Sequence, residues 1–187
     1  MDNQTQILNA ALKLFVEFGF HGTPTSKIAT EAGVSNGTLF HYYKTKDELV
    51  SALYIDVKNR LVNSMDSEVQ KFSSIKEKIY AVFRSTILWA LKNQEAYFFI
   101  QQVHFSPHVY LISDEIKTQQ ARIHTELLGL AYSQNLLKPL DPELIGQIVN
   151  NQVNAAYQYL STKKLNKEKQ LEVIKTTFKM VWSMIKN

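Results

Sequence analysis

Cysteine is absent from the chain, which excludes disulfide staples, Cys-ligated zinc, iron–sulfur clusters and a cysteine nucleophile. Glycine and proline are scarce, six and four in 187 residues; a turn-dense β fold needs more of both, and long helices do not. No run approaches the ~18 consecutive apolar residues of a membrane span. The opening residues, MDNQTQ, carry amides and an acid where a secretory leader would carry positive charge. These features predict a soluble, cytoplasmic protein. A glycine-rich phosphate loop and a GxSxG-type elbow are also missing, and the adjacent Asp114 and Glu115 cannot share one helix face as a catalytic pair. No catalytic residue is assigned, no cofactor is expected, and the chain is expected not to be an enzyme.

Hydrophobic residues make up 45% of the chain, enough for a packed core. The net charge is +4, but it is unevenly placed. Residues 1–50 hold four Lys, no Arg and five acids, a net −1, so the basic surplus lies wholly beyond residue 50. The densest basic run, Lys163, Lys164, Lys167 and Lys169, reads as a solvated loop between helices.

Almost every window repeats its apolar residues with the 3.6-residue period, which predicts an all-α protein of about nine helices. The first covers 3–19, with Ile7, Ala11, Leu14 and Phe18 in one stripe, Asp2 or Asn3 as cap and Gly19 as a left-handed stop. The second covers 26–32 with Thr25 as N-cap, and Gly33 ends it. The third starts after Ser35 and runs to Tyr43. Two short helices joined by a few residues that begin with Gly are the signature of a helix-turn-helix. Thr45-Lys46-Asp47-Glu48 is a capping box that opens a fourth helix over 46–64. Further helices are expected over 73–92, 94–105, 108–133, 142–161 and 167–186, the fourth of these after Asp141-Pro142-Glu143, an N-cap, a first-turn Pro and an acid at the positive dipole end. The expected domains are 1–45, a DNA-binding helix-turn-helix, and 46–187, a helical ligand-binding and dimerisation domain.

A helix-turn-helix lays its second helix in the major groove of DNA and braces the first against the backbone. Small and hydroxylic residues at the start of the second helix allow close approach, and Ser35, Asn36, Gly37 and Thr38 stand there. Asn36 presents a donor and an acceptor together, as an adenine edge requires. Thr38 offers a hydroxyl and a methyl, and Gly37 removes a Cβ where the groove is tightest. His41, Tyr42 and Lys46 lie at a reach suited to phosphates. Helix-terminal amides and hydroxyls can hold phosphates without a surplus of Lys and Arg, which fits a reader that nets −1.

The run TSKIATEAGVSNGTLFHYYKTKDEL, with the amphipathic helix ahead of it, resembles the DNA-binding domain of the TetR family of bacterial regulators over about residues 5–55. Gly33, Val34, Ser35, Gly37, Thr38, Leu39, Lys44 and Lys46 stand where family members carry such residues. The resemblance implies a homodimer with an N-terminal DNA-binding domain and a divergent C-terminal ligand domain. It implies that Thr25, beside Ser26, touches phosphate, that Asn36, Gly37 and Thr38 face bases, and that Lys46 holds the backbone. Phe40 replaces a Tyr usual in the family and lacks its hydroxyl, so that contact is absent or purely apolar.

The remaining residues suggest two tasks. The last helix is apolar on two sides, with Leu171, Ile174, Phe178, Val181 and Ile185 on one and Val173, Thr177, Met180 and Met184 on the other. Helix 142–161 likewise spreads Leu144, Ile148, Ala155 and Tyr159 against Ile145, Val149, Gln152 and Ala156. A helix apolar on two sides needs two partners, and two such helices from each copy can build a two-fold four-helix interface. The residues assigned to it are Ile148, Gln152, Ala155, Tyr159, Ile174, Phe178, Val181 and Ile185. The second task is a pocket for a small effector lined from Trp89, Tyr97, Phe98, Gln101, His104, Phe105, Tyr110 and Tyr132. Scarce fixed charge in that stretch favours a neutral, mostly apolar effector. His104 and His108 stand four apart, but Pro107 breaks the helical geometry a shared metal needs, so no metal is expected.

The reading is a ligand-responsive DNA-binding transcriptional regulator, a repressor that a small effector releases from its operator. Its rivals are a regulator whose body answers to a protein partner and a helical small-molecule carrier.

Overall fold

The computed structural model describes residues 2–187 and, among them, nine α-helices and no strand: α1 (Asn3–Phe18), α2 (Thr25–Glu31), α3 (Asn36–Tyr42), α4 (Lys46–Val69), α5 (Ile75–Lys92), α6 (Gln94–His104), α7 (Asp114–Ser133), α8 (Pro142–Ser161) and α9 (Lys167–Ile185), with a 3-10 turn over Pro107–Leu111. The chain divides into two compact units. One is Met1–Arg60 with Asn93–Lys117, and the other is Leu61–Lys92 with Thr118–Asn187.

The first unit is built on aromatic rings from distant parts of the sequence. Phe15 of α1 stacks on Phe99 of α6 at 6.3 Å, and Phe20 meets both Phe15 (5.4 Å) and Phe99 (5.9 Å) edge-on. Ile7, Ala11 and Leu14 of α1, Ile28 and Ala29 of α2, Leu39 of α3 and Leu49 and Leu53 of α4 are buried. α1 starts on Asp2, whose carboxylate accepts from the Thr5 amide at 2.7 Å. It stops at Gly19, with φ 71 and ψ 172. The expected left-handed stop is thus a mirror-extended one, a backbone region open essentially to glycine alone.

The elbow after α1 is locked by Thr23, which sequence reasoning passed over, and by Gly22. Thr23 is fully buried and its hydroxyl lies within hydrogen-bonding reach of two carbonyl oxygens, Gly19 (2.8 Å) and Leu14 (3.1 Å), which pins the loop back on the end of α1. A Cβ at Gly22 would run into the Phe18 carbonyl oxygen, so the loop closes this tightly only on glycine.

The second unit packs α5 against α8 and α9, and α8 against α9. Phe178 of α9 sits at its centre, with Tyr80 (5.0 Å) and Phe83 (5.6 Å) of α5 and Trp182 (6.1 Å) around it. Asp141 caps α8 by accepting from the Glu143 (2.7 Å) and Leu144 (3.3 Å) amides, and Asn166 caps α9 by accepting from Lys169 at 2.9 Å. The chain end is tied back: Lys138 donates to the Ile185 carbonyl (2.9 Å) and Asn187 to that of Leu136 (3.0 Å).

Three boundaries differ from expectation. Pro24, not Thr25, is the N-cap of α2 and supplies no side-chain bond; its fixed φ already sets the cap geometry. α4 runs to Val69 instead of 64, because Met65, at 2% exposure, continues the buried stripe of Leu53, Val57 and Leu61 by another turn. The expected helix 108–133 is broken into the 3-10 turn and α7. Ile112 is buried in extended conformation, and the Ser113 hydroxyl restarts the helix by accepting from Ile116 at 3.3 Å.

Candidate nucleic-acid interface

The turn between α2 and α3 follows from one glycine. Gly33 takes φ 68, which lets Val34 donate back to the Ala29 carbonyl (3.0 Å) and Gly33 to Thr30 (3.1 Å). This left-handed wrap closes the open carbonyls of α2 and turns the chain sharply. Ser35 then caps α3: its Oγ accepts from the Thr38 amide at 3.0 Å and lies 2.9 Å from the Thr38 hydroxyl. The two hydroxyls expected to face DNA therefore also hold the start of α3 together.

Leu39 is the buried residue of α3, and Tyr43 just beyond it is the second anchor. At 100° per residue, Asn36, Phe40, Gly37 and His41 fall within about 140° of arc on the outer side, and all four are exposed. Phe40 and Tyr42 are each 42% exposed, and the His41 and Tyr42 rings meet edge-on at 5.6 Å. Around Gly37 the protein itself leaves space: a Cβ there would meet only the Ser35 Oγ, at 3.6 Å. Packing gives no reason for glycine at a position where Ala favours helix.

Thr25 and Ser26 form the first turn of α2, half-buried and exposed. Lys46 opens α4. Burial of its half-covered side chain holds the ammonium below its ordinary value, with Asp47 pulling the other way. The capping box is present but shifted. Thr45 Oγ1 accepts from the Glu48 amide (3.1 Å), whereas the Glu48 carboxylate accepts from Lys44 (2.7 Å), one residue before Thr45.

A further contact in this unit was invisible in sequence. His108 of the 3-10 turn lies on the Phe20 ring at 4.4 Å and places Nε2 3.7 Å from the Asp47 carboxylate. Burial lowers its pKa from the ordinary value, outweighing Asp47, with His21 and Lys46 lowering it further. Burial thus favours the neutral ring, and its approach to Asp47 is a polar contact. Nothing in the sequence pointed to these neighbours of His108, which are far away along the chain.

The other assigned residues are placed as follows. Of the pocket set, Trp89 and Tyr132 belong to the second unit and the rest to the first. Tyr97 is buried, Trp89 and Gln101 are half-buried, and Phe98 and His104 are exposed. Phe105, at the C-cap of α6, and Tyr110, in the 3-10 turn that replaces the start of the expected helix 108–133, stand 79% and 84% exposed. Tyr132 donates to the Leu140 carbonyl. In α9, Ile174, Phe178, Val181 and Ile185 lie in the chain's own core, packed toward α5, so the outward face is the other stripe, with Met180 at 65% and Met184 at 51% exposure. In α8, Ala155 and Tyr159 are exposed and Ile148 and Gln152 half-buried, with Leu144 exposed beside them. A cleft of about 540 Å³ between α5 and α9 is lined by Tyr80, Arg84, Glu168, Leu171, Glu172 and Lys175, none of them from the pocket set. Among the described residues no group of three or more His, Asp or Glu could hold a metal, and no helix is long and apolar enough to cross a membrane.

Comparison with known proteins adds the following. Residues 7–53 match the family described as bacterial regulatory proteins, tetR family. The fatty acid metabolism regulator protein of Bacillus subtilis (strain 168) is 32% identical over 77 residues, 41% of this chain and 40% of that protein, so the match spans about two-fifths of that relative. A TetR family transcription regulator from Shewanella sp. PV-4 superposes with a TM-score of 0.88 at 27% identity over 100% of both chains. FadR of Bacillus subtilis in complex with stearoyl-CoA superposes at 0.80 with 20% identity over 96% of this chain and 97% of the other. AibR in complex with isovaleryl coenzyme A and operator DNA superposes at 0.76 with 20% identity, over 97% and 98%. The last two likenesses establish fold alone.

Proposed function

We propose, because this chain belongs to the TetR family of bacterial regulatory proteins, that it is a homodimeric, ligand-responsive transcriptional repressor, bound to an approximately palindromic operator and released by a small effector. The observation that carries the reading is the outer arc of α3. Asn36, Gly37, Phe40 and His41 are exposed together over a single buried anchor, Leu39, and Gly37 has no packing partner that requires it to be glycine.

In this reading Asn36 pairs with a base edge and Gly37 lets the α3 backbone approach the groove. Thr38 and Ser35 contribute from the helix start, and Phe40 makes an apolar contact in place of a hydroxyl. Thr25, Ser26, His41, Tyr42 and Lys46 hold phosphates. Two reading helices must sit one helical turn of DNA apart, ~34–36 Å, so a second copy is needed. The outward faces of α8 (Leu144, Ile148, Ala155, Tyr159) and α9 (Thr177, Met180, Met184) are the surfaces it would cover. No step of this role requires catalysis, and the role belongs in the bacterial cytoplasm, where the operator is.

The effector is expected to have a substantial apolar body. Two fold neighbours hold acyl-CoA molecules, which makes acyl thioesters the first class to test. Release needs a mechanical link, and the first unit contains one. α6 and the 3-10 turn are joined to the reading module through Phe99 on Phe15 and Phe20, and through His108 against Phe20 and Asp47. A ligand that displaces α6 or α4 drags the α4 start, and α3 with it. Such coupling is typically ~1–3 kcal/mol, or about 5–150-fold in affinity.

The test is selection of binding sites from random duplexes with the purified protein, followed by gel shift on the selected site with and without acyl-CoAs of graded chain length. A two-fold symmetric site, bound by a dimer and weakened by at least one acyl-CoA, is expected. Sequence-blind binding would instead mark a carrier, and operator binding untouched by every acyl-CoA would overturn the effector class.

A further inference from the structure

The approach of the 3-10 turn to the start of α4 is one proton short of a hydrogen bond. The His108 side chain is 14% exposed, with the Phe20 ring tilted against it at 4.4 Å. The Ser106 hydroxyl serves one of its nitrogens: Oγ lies 3.2 Å from Nδ1 and 3.0 Å from the Val103 carbonyl oxygen. That hydroxyl has a single hydrogen to give. The nearer acceptor, the Val103 carbonyl, takes it, so Nδ1 carries the ring proton and donates to Oγ. Nε2 of the neutral ring is then left with a lone pair facing the Asp47 carboxylate, and the two stay 3.7 Å apart, beyond hydrogen-bond reach.

A proton on Nε2 turns this contact from repulsive to attractive. The imidazolium donates to the carboxylate, and a charge-assisted hydrogen bond is short, about 2.7–2.9 Å, so the 3-10 turn and the first turn of α4 draw together. Of the charged and titratable groups facing the ring, Lys46 from α4 and His21 from the loop after α1 oppose the proton, as burial does, and Asp47 favours it. An anion brought to Lys46 offsets that opposition, and Lys46 is where the DNA-binding reading puts a phosphate. Asp47 is largely exposed, so solvent screening keeps the gain modest.

We propose that His108 is a proton-operated clasp on the start of α4, so that operator binding and protonation of this ring strengthen each other. This rests on the regulator reading above and adds a second input to it, the pH of the surroundings, beside the small effector. A phosphate on Lys46 makes the imidazolium easier to form, and by linkage the imidazolium returns the same factor to DNA affinity. Mild acid thus tightens the grip on the operator through a residue that does not itself touch DNA.

The experiment measures affinity for the selected operator from about pH 7.5 to 5.5, at constant ionic strength, for the full-length wild type, His108→Gln, Asp47→Asn and the double variant. His41 on the reading face also carries an imidazole, so the clasp is read as a difference between variants. On acidification the wild type is expected to gain roughly three- to tenfold more affinity than His108→Gln, the gain of a ring whose pKa rises by about half a unit to one unit on DNA. Asp47→Asn is expected to lose the same part of the gain, and the double variant no more than either single one. An equal gain in the wild type and His108→Gln, or a full gain in Asp47→Asn, would overturn the proposal. NMR of the His108 ring needs no variant of that residue. Its titration midpoint is expected to rise when operator is added to the wild type and, without DNA, to fall in Asp47→Asn; a midpoint unmoved in one of these comparisons overturns the clasp. Absence of sequence-selective binding at every pH would instead sink the regulator reading, and the DNA-free midpoint still decides whether Asp47 and His108 act together.

Discussion

The two units leave opposite kinds of surface uncovered. In the first, α3 has one buried residue and presents an amide, a glycine, an imidazole and two rings to the outside, on a seven-residue helix held at its start by Ser35. In the second, α8 and α9 are about three times longer and keep a full apolar stripe inside, yet still leave Leu144, Tyr159, Met180 and Met184 exposed. A polar, tightly capped face suits a partner that binds and leaves. An apolar face on long helices suits a partner that stays, because exposed apolar stripes of this kind mark interfaces.

That contrast is open to test, most strongly inside α9. Phe178→Ala removes the ring at the centre of the second unit and is expected to cost about 3–5 kcal/mol of stability, read by chemical denaturation. Met180→Ala, two residues along on the outer face, is expected to leave monomer stability nearly unchanged and to weaken self-association in analytical ultracentrifugation. Comparable stability losses in both would erase the distinction between the two stripes.

Within the reading module the contrast is between bases and backbone. Asn36→Ala is expected to relax sequence preference at one base step, with about 1–3 kcal/mol lost on the preferred site. Lys46→Ala should weaken all duplexes alike and flatten the salt dependence of binding by about one phosphate contact. Equal loss of selectivity from both would contradict the division of roles.

The smallest effect is the most diagnostic. Gly37→Ala adds a methyl where the protein has room, so it should leave the fold intact or stabilise it by up to about 1 kcal/mol. Operator affinity should fall, because the same methyl meets the groove. A variant that melts higher and binds worse sharpens the comparison, and one that binds unchanged removes the reason given for this glycine.

The difference between the units also explains what was legible in the sequence. The reading module is written in local signals: the Ser35 cap, the Gly33 turn and the Thr45–Glu48 box depend on residues a few positions apart, and each is found in the structure. Asp141-Pro142 located the start of α8 for the same reason. Choosing between the two apolar stripes of α9 depends on which side α5 occupies, and periodicity carries no such information. Ile174, Phe178, Val181 and Ile185, expected to face a partner, lie in the chain's own core, and that ambiguity is why the sequence did not separate the two stripes. The 3-10 break escaped because Ile112 is fixed by burial instead of by any local breaker. Thr23 and His108 were missed because their partners, the carbonyls of α1 and the side chains of Phe20 and Asp47, are revealed only by folding.

The stacking of Phe15 and Phe20 on Phe99 has a consequence for how the protein is made. Some eighty residues separate the ring on α1 from its mate on α6, so the ribosome delivers the DNA-facing segment long before the part that completes its core. Until α6 emerges, the nascent chain carries two uncovered phenyl rings, and helices as short as α2 and α3 hold little structure of their own in water. More than half of the polypeptide is thus synthesised before the ring that completes this aromatic cluster is available.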